Sequence, residues 1–326
     1  MSARLGERDR NGSEKDFTMA SINTNIAAMT ALQSLNQTNK EMLTTQNRVS
    51  TGYRVKDASD NAAYWSIATT MRSDRGAIST VVDALGLGSA TVDTANTGVT
   101  KAIETASTIK QKLVAARQPG VDRAKIQSEI TELQNSLRSA VETSSFSGQN
   151  WLSVDSTGTT ERSLVSSFSR DSTGAISIGT ITVDIGATGT MLIDSSGGAA
   201  GILDSDRTVT SGGTYNILNL DISALTDETA DLTDLEDYIS GVDDAITSMT
   251  DAATNLGAVK TRISVQTEFA KALMDAIDTG VGQLVDADMN EESTRLQALQ
   301  VRSQLGITAL SLANQSANSI LSLFQG

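Results

Sequence analysis

SQLGITALSLANQSANSILSLFQG, residues 303–326, closes the chain without one Asp, Glu, Lys or Arg. A membrane span needs about twenty mostly apolar residues in a row. This stretch carries Gln304, Asn314, Gln315, Asn318 and Gln325 among many serines. Lipid would leave those groups unpaired, at several kcal/mol each. The apolar residues follow a different rule. Leu299, Gly306, Leu310, Ala313, Ala317, Ile320 and Phe324 fall on steps of three, four or seven. Those are the steps of a coiled-coil seam, here with small residues in its middle. The spacing predicts a helix that buries one narrow stripe against protein.

The other end of the chain matches it. Met19–Asn39 is also free of charge. Ile22, Ile26, Met29, Leu32 and Leu35 recur every three or four residues, and Met42 and Val49 follow at sevens. A helix of about thirty residues, roughly 45 Å long, is expected there. Gly52 stands where it would stop. The polar run YRVKDASDNAAYW follows, in which Asp57, Ser59 or Asp60 is expected to cap the next helix.

That second helix is expected to place Ala68, Met71, Ile78, Val82, Leu85, Val92, Val99, Ile103, Ala106 and Leu113 in heptad register. Pro119-Gly120 forms a turn. A third helix is expected from about Val121 to Thr143, with Ile126, Ile130, Leu133 and Leu137 on one face. From about Ser144 to Thr226 the composition turns to Ser, Thr and Gly. Ile181, Val183 and Ile185 alternate with polar residues, as do Leu218, Leu220 and Ile222, and both runs read as strands. Helical steps then return from Leu232 to Leu256 and continue at sevens through Ile263, Ala270, Ile277 and Leu284. The fold class is mainly α, with long coiled-coil helices from both ends and a small β-rich insert between them. The two halves must meet to bury their stripes.

Composition narrows the chemistry. The 326 residues include no Cys and no His, and aromatics are only 3%. Disulfides, thiolates, the commonest metal ligand and the commonest general base are all missing. No catalytic residue, cofactor or metal is expected. The net charge of −14 sits between Asp155 and Val259, which hold 17 acidic and 3 basic residues. Nucleic-acid binding calls for a basic stripe, which is lacking. The single proline permits long helices. The first eighteen residues are polar, without the apolar core of a cleaved secretory signal. They read as an unstructured leader.

Three stretches carry a family resemblance. MASINTNIAAMTAL at Met19, NRVSTGYRVKDASDNAAYWSIATTMRSD over Asn47–Asp74, and LANQSANSILSLFQ over Leu312–Gln325 resemble, in this order, the signatures of bacterial flagellins. The wording of ASDNAAYWSIATTMRSD and GVGQLVDADMNEEST is similar to that of flagellins from rhizobial alphaproteobacteria. The resemblance implies a structural subunit of the flagellar filament, extracellular and serving motility. It implies export in an unfolded state by the flagellar type III apparatus with a chaperone, and assembly at the tip under a cap protein, above junction proteins. Residues 19–70 and 283–326 would form an inner-tube helical pair. Residues 71–165 and 225–282 would form a second helical shell, and 166–224 a β-rich surface domain. Residues 1–18 would then be an upstream start, an added segment or a genuine extension.

The subunit interface expected from stripe and resemblance comprises Ile22, Ile26, Met29, Leu32, Leu35, Leu310, Ala317, Ile320, Leu321, Leu323 and Phe324. The bend adds Arg48, Arg54, Asp57 and Asp60. The place that resembles the family's immune-receptor stretch reads Gln111-Lys112-Leu113, with a basic group where the family has an acidic one. Weak receptor activation is expected.

Rival readings are weaker. DADMNEEST resembles a calcium loop, but Glu291 stands where glycine is required and Gln297 where Glu is required. Helix capping suits it better. GLGSAT and GVGQLV are incomplete glycine motifs. A hook–filament junction protein shares similar ends, but the rhizobial wording argues against it. A metalloprotease in the insert would need histidine.

Overall fold

The computed structural model describes residues 24–186 and 189–324, with side chains through residue 316. Five helices account for most of the chain: α1 (Ile26–Thr51), α2 (Ala62–Ala116), α3 (Arg123–Thr143), α4 (Thr229–Val285) and α5 (Met289–Phe324). Between α3 and α4 lie β1 (Ser145–Phe146), β2 (Gln149–Asn150), β3 (Ser153–Val154), β4 (Glu161–Arg170), β5 (Ile176–Asp184), β6 (Ile193–Asp194), β7 (Arg207–Thr208) and β8 (Thr214–Tyr215). The chain divides into two compact units. One holds the described residues up to Ala68 and from Val281 onward, the other Thr69–Gly280.

In the first unit, α1 and α5 run antiparallel. The Asn25 amide donates to the Ala313 carbonyl at one end, and Arg48 pairs with Glu292 at 2.9 Å at the other. The Asn25 carboxamide oxygen caps α1 by accepting from Ala28 N. Gly52 ends it in the left-handed region, φ 76°, where its N–H reaches the Arg48 carbonyl. That φ suits glycine because a side chain would strain it. The cap of α2 is Asn61, whose side-chain oxygen accepts from Ala63 N and Tyr64 N. This corrects the expected cap. The Asp57 and Asp60 carboxylates instead turn back onto their own loop, where Ser59 N and Lys56 N donate to them.

In the second unit, α2 and α4 run antiparallel along a seam of three-, four- and seven-residue steps. Ile78, Val81, Leu85, Val92, Ala95, Val99, Ala102, Ala106, Ile109, Leu113 and Ala116 are buried on α2. Leu235, Val242, Ala245, Met249, Ala252, Leu256 and Ile263 are buried on α4. Four ion pairs flank it at matching heights: Arg75–Asp278, Asp93–Lys260, Lys110–Asp243 and Arg117–Glu236. They are exposed, so water and salt screen them and each adds little to stability. Met71, expected on the seam, is exposed. α3 begins at Arg123 rather than Val121, because Asp122 is its N-cap. The α3 face contributes Ile130, Leu137 and Val141 to the core.

The β4–β5 hairpin lies along α2. Leu164 packs against Gly88, where an added Cβ would come within 3.0 Å of its Cδ1, and Arg170 pairs with Asp74 at 2.7 Å. Ile181 and Val183 point inward as their alternation predicts. Leu218, Leu220 and Ile222 are buried too, but they form no strand. Backbone groups of this run instead pair with side chains of α3. Gln134 Nε2 donates to the Ile217 and Leu220 carbonyls. Gln127 Nε2 donates to Leu220 O, and its Oε1 accepts from Ile222 N. Period-two burial therefore arose without a ladder. One core joins Trp151, Leu152, Met191, Leu192, Leu203 and Ile217 to the helices, so packing runs straight through positions 166 and 224.

Candidate subunit interface

The seam between α1 and α5 mixes small and polar residues with a few larger apolar ones. On α1 the inward positions are Ala28, Ala31, Leu35, Thr38, Met42, Thr45 and Val49. On α5 they are Glu292, Leu296, Leu299, Ser303, Gly306, Leu310 and Ala313. Both series step by three and four. The α5 stripe over Leu299, Gly306, Leu310 and Ala313 is the one expected from sequence. On α1 the expectation needs correction. Of Ile26, Met29, Leu32 and Leu35, only Leu35 faces α5; the others are exposed, Met29 by 62%. Ile26, Met29, Leu32 and Leu43 point away from the seam, where Ala and Thr positions let the helices approach closely, while Leu35, Met42 and Val49 face α5.

α5 shows the same arrangement. Val301, Leu305, Ile307 and Leu312 are exposed, Leu305 by 63% and Leu312 by 68%. Heptad geometry puts Met29, Leu32 and Leu43 on one flank of the pair, and Leu305 and Leu312 on the opposite flank. Sequence reading had not singled out Leu43, Val301, Leu305, Ile307 or Leu312. They are the apolar residues left over once the seam is assigned, and that remainder is the signal for them. Ile22 lies outside the described residues. So do the side chains of Ala317, Ile320, Leu321, Leu323 and Phe324, on the helical backbone of α5.

The bend ties the chain to itself. Arg54 N and Val55 N both donate to Val285 O, at 2.7 and 3.1 Å, and Ala287 N donates to Gly52 O at 2.9 Å. The Arg54 guanidinium reaches the Leu284 carbonyl at 2.9 Å, at the C-terminal end of α4, where a cation also complements the helix dipole. Val55 is buried beneath this loop. Asp288 caps α5 by accepting from Asn290 N and Glu291 N. Thus the structure brings Arg48, Arg54, Asp57 and Asp60 into one region, each engaged within the chain. The Ser59 hydroxyl and N–H hold the Asp57 carboxyl below its ordinary pKa. Beside them Tyr64, Trp65 and Ile67 are exposed.

The receptor-equivalent residues separate. Gln111 is exposed, Lys112 pairs with Glu129 of α3, and Leu113 is wholly inside the core. No group of three metal-ligating side chains occurs among the described residues. No described helix is long and apolar enough to cross a membrane.

Known proteins account for this plan of paired helical ends around a short insert. Residues 22–157 match the bacterial flagellin N-terminal helical region, and residues 239–324 match the C-terminal helical region. Flagellin C of Rhizobium meliloti (strain 1021) is 48% identical over 322 residues, covering 94% of this chain and all of the relative. The chain belongs to the bacterial flagellin family. Flagellin A of the same strain is 42% identical over 396 residues, again covering 94% of this chain and all of the relative. The flagellin of Brucella melitensis biotype 1 is 46% identical over 309 residues, with the same shares. Membership makes the chain a structural subunit of the extracellular flagellar filament, self-polymerising, active in motility and not an enzyme.

Proposed function

We propose that polymerisation works by completing the terminal helix pair. The observation that carries this reading is the apolar surface on both outer flanks of α1 and α5, around a seam that buries little. The α1 flank presents Ile26, Met29 and Leu32, and the α5 flank presents Leu305 and Leu312. Ordering the backbone costs about 1–2 kcal/mol per residue. A narrow seam, with Ala, Thr, Ser and Gly between its few larger apolar residues, offsets only part of that, so the ends order when neighbouring copies cover the flanks. Different stripes on opposite flanks suit a head-to-tail contact, and such contacts continue into a helical polymer. The lack of charge over Met19–Asn39 and Ser303–Gly326 fits this, because any charge there would be buried in every copy.

In this reading residues 19–70 and 283–326 form the inner tube. Residues 71–165 and 225–282 form the surrounding shell, and 166–224 face outward. Ile22, Ala317, Ile320, Leu321, Leu323 and Phe324 extend the interface toward the chain ends. Arg48, Arg54, Asp57 and Asp60 make the bend a further contact region. The export apparatus with its chaperone, the junction proteins and the cap would be the other partners. Receptor activation through Gln111, Lys112 and Leu113 would be weak, since Lys112 replaces an acidic group and Leu113 is buried.

Removing the last ten residues tests the mechanism. The truncated chain should retain the melting transition of Thr69–Gly280 and form no filaments, as read by sedimentation and electron microscopy. Normal polymerisation of the truncated chain would refute it. Charge reversal at Arg54 should weaken filaments more than reversal at Asp171 in the insert; the opposite ranking would remove the bend from the interface.

A further inference from the structure

The seam of the terminal pair is nearly blind to register. Leu35 lies against Gly306, and counting heptads from that contact sets Ala31 opposite Leu310 and Met42 opposite Leu299. Slide α5 by one heptad, about 10.5 Å at 1.5 Å per residue. Leu35 then meets Ala313, Met42 meets Gly306 and Val49 meets Leu299. In both alignments one large pair meets at Leu299 while the other large residues meet Ala or Gly, and every seam position stays on the seam. Packing alone therefore discriminates weakly between the two alignments. Yet the choice matters, because a slip carries Leu305 and Leu312 a full heptad along the flank of α1.

What distinguishes the alignments is concentrated at one end. Among the described residues of α1 and α5, Glu292 is the one buried charged residue, 6% exposed. Arg48 Nη1 pairs with its Oε1 at 2.9 Å, while its Oε2 has no partner among the described residues. A buried carboxylate so poorly supplied depends on that single cation, and losing it would leave a buried charge uncompensated. A few residues away stand the Gly52–Ala287 and Val285–Arg54 backbone bonds and the Arg54 contact with Leu284 O. Burial follows the same gradient. The buried seam residues Thr38, Thr45, Glu292 and Leu299 all lie from the middle of the pair toward the bend, interspersed with half-buried Met42, Val49 and Leu296, whereas Ala28, Ala31, Gly306, Leu310 and Ala313, toward the chain ends, are all half-buried.

We propose that the bend is a register clamp: Arg48–Glu292 and Arg54 select which heptad of α5 lies against which heptad of α1, and the pair closes from the bend toward the chain ends. This goes beyond polymerisation itself and concerns alignment within one chain.

The absence of cysteine permits a direct test. A Cβ on Gly306 would stand 3.7 Å from Leu35 Cβ, inside the disulfide range of about 3.5–4.5 Å. The full-length L35C/G306C chain, oxidised under polymerising conditions, should close an intrachain disulfide, and L35C/A313C should not. Adding R48A/R54A should lower the 35–306 yield at least fivefold and raise the 35–313 yield. The charge swap R48E/E292R should restore 35–306, and the seam substitution T38A should leave it unchanged. An undiminished 35–306 yield after R48A/R54A would overturn the proposal, as would a shift caused by T38A. So would loss of the Thr69–Gly280 melting transition in R48A/R54A, which would make the bend a general stability element. Pelleting is scored separately, so failure to polymerise counts against the filament mechanism and the cross-link position against the clamp.

Discussion

Leu35 closes over Gly306: a Cβ built on that glycine would stand 3.2 Å from Leu35 Cδ1. The contact is tight but meets the end of a flexible, half-buried side chain. Gly306→Ala should therefore be tolerated, since Leu35 yields slightly and the helix gains about 1 kcal/mol of propensity. Gly306→Leu should not be, because overpacking costs about 1–3 kcal/mol at a seam with little to lose. Filament yield by sedimentation should be unchanged for Ala and reduced at least tenfold for Leu.

The outward residues should separate folding from assembly. Met29 and Leu305 are mostly exposed in the single chain. Met29→Asp and Leu305→Asp should shift unfolding of the dissolved chain by no more than about 0.5 kcal/mol. In a filament each would place a charge in an apolar contact, and the critical concentration for polymerisation should rise more than tenfold. Filaments forming at the parental concentration would exclude these flanks from the interface.

Arg123 illustrates how the second unit is held. It is a buried arginine whose Nε donates to Ala116 O, Nη1 to Leu225 O and Nη2 to Asp227 at 2.7 Å. It fastens the end of α2, the start of α3 and the chain entering α4. Arg123→Ala would leave two carbonyls without their donor, and should destabilise the unit by about 2–4 kcal/mol. Lys125→Ala, at an exposed neighbour, should change urea unfolding by less than about 0.5 kcal/mol.

Asp194 should give the insert an acid-sensitive component. The Ser156 and Ser196 hydroxyls hold its carboxyl well below the ordinary range, with their backbone N–H groups adding to the effect. A depressed carboxylate contributes stability above its unfolded pKa of about 3.9, and loses it as pH falls through the folded value. Parent and Asp194→Asn should therefore differ most at pH 7. Their difference should begin to shrink as pH drops below about 4. Urea midpoints at pH 7, 5 and 3 would show this; a gap that widened at pH 3 would contradict it.

Much of this protein was legible without coordinates. Heptad steps in α2, α4 and α5, the stop at Gly52, the turn at Pro119-Gly120 and the inward alternation of Ile181 and Val183 are local patterns, and local patterns set helix and strand periods. The uncharged ends were equally plain, since charge is read residue by residue. Three features needed the tertiary structure. Which stripe of α1 faces α5 depends on close approach, and close approach favours Ala28 and Ala31 over the more hydrophobic Ile26 and Met29. Whether Leu218–Ile222 makes a strand depends on its partner, and Gln127 and Gln134 of α3 supply the hydrogen bonds that a ladder would have given. The alignment of α1 with α5 rests on Arg48 meeting Glu292, residues 244 positions apart, and no periodicity within either helix encodes that meeting.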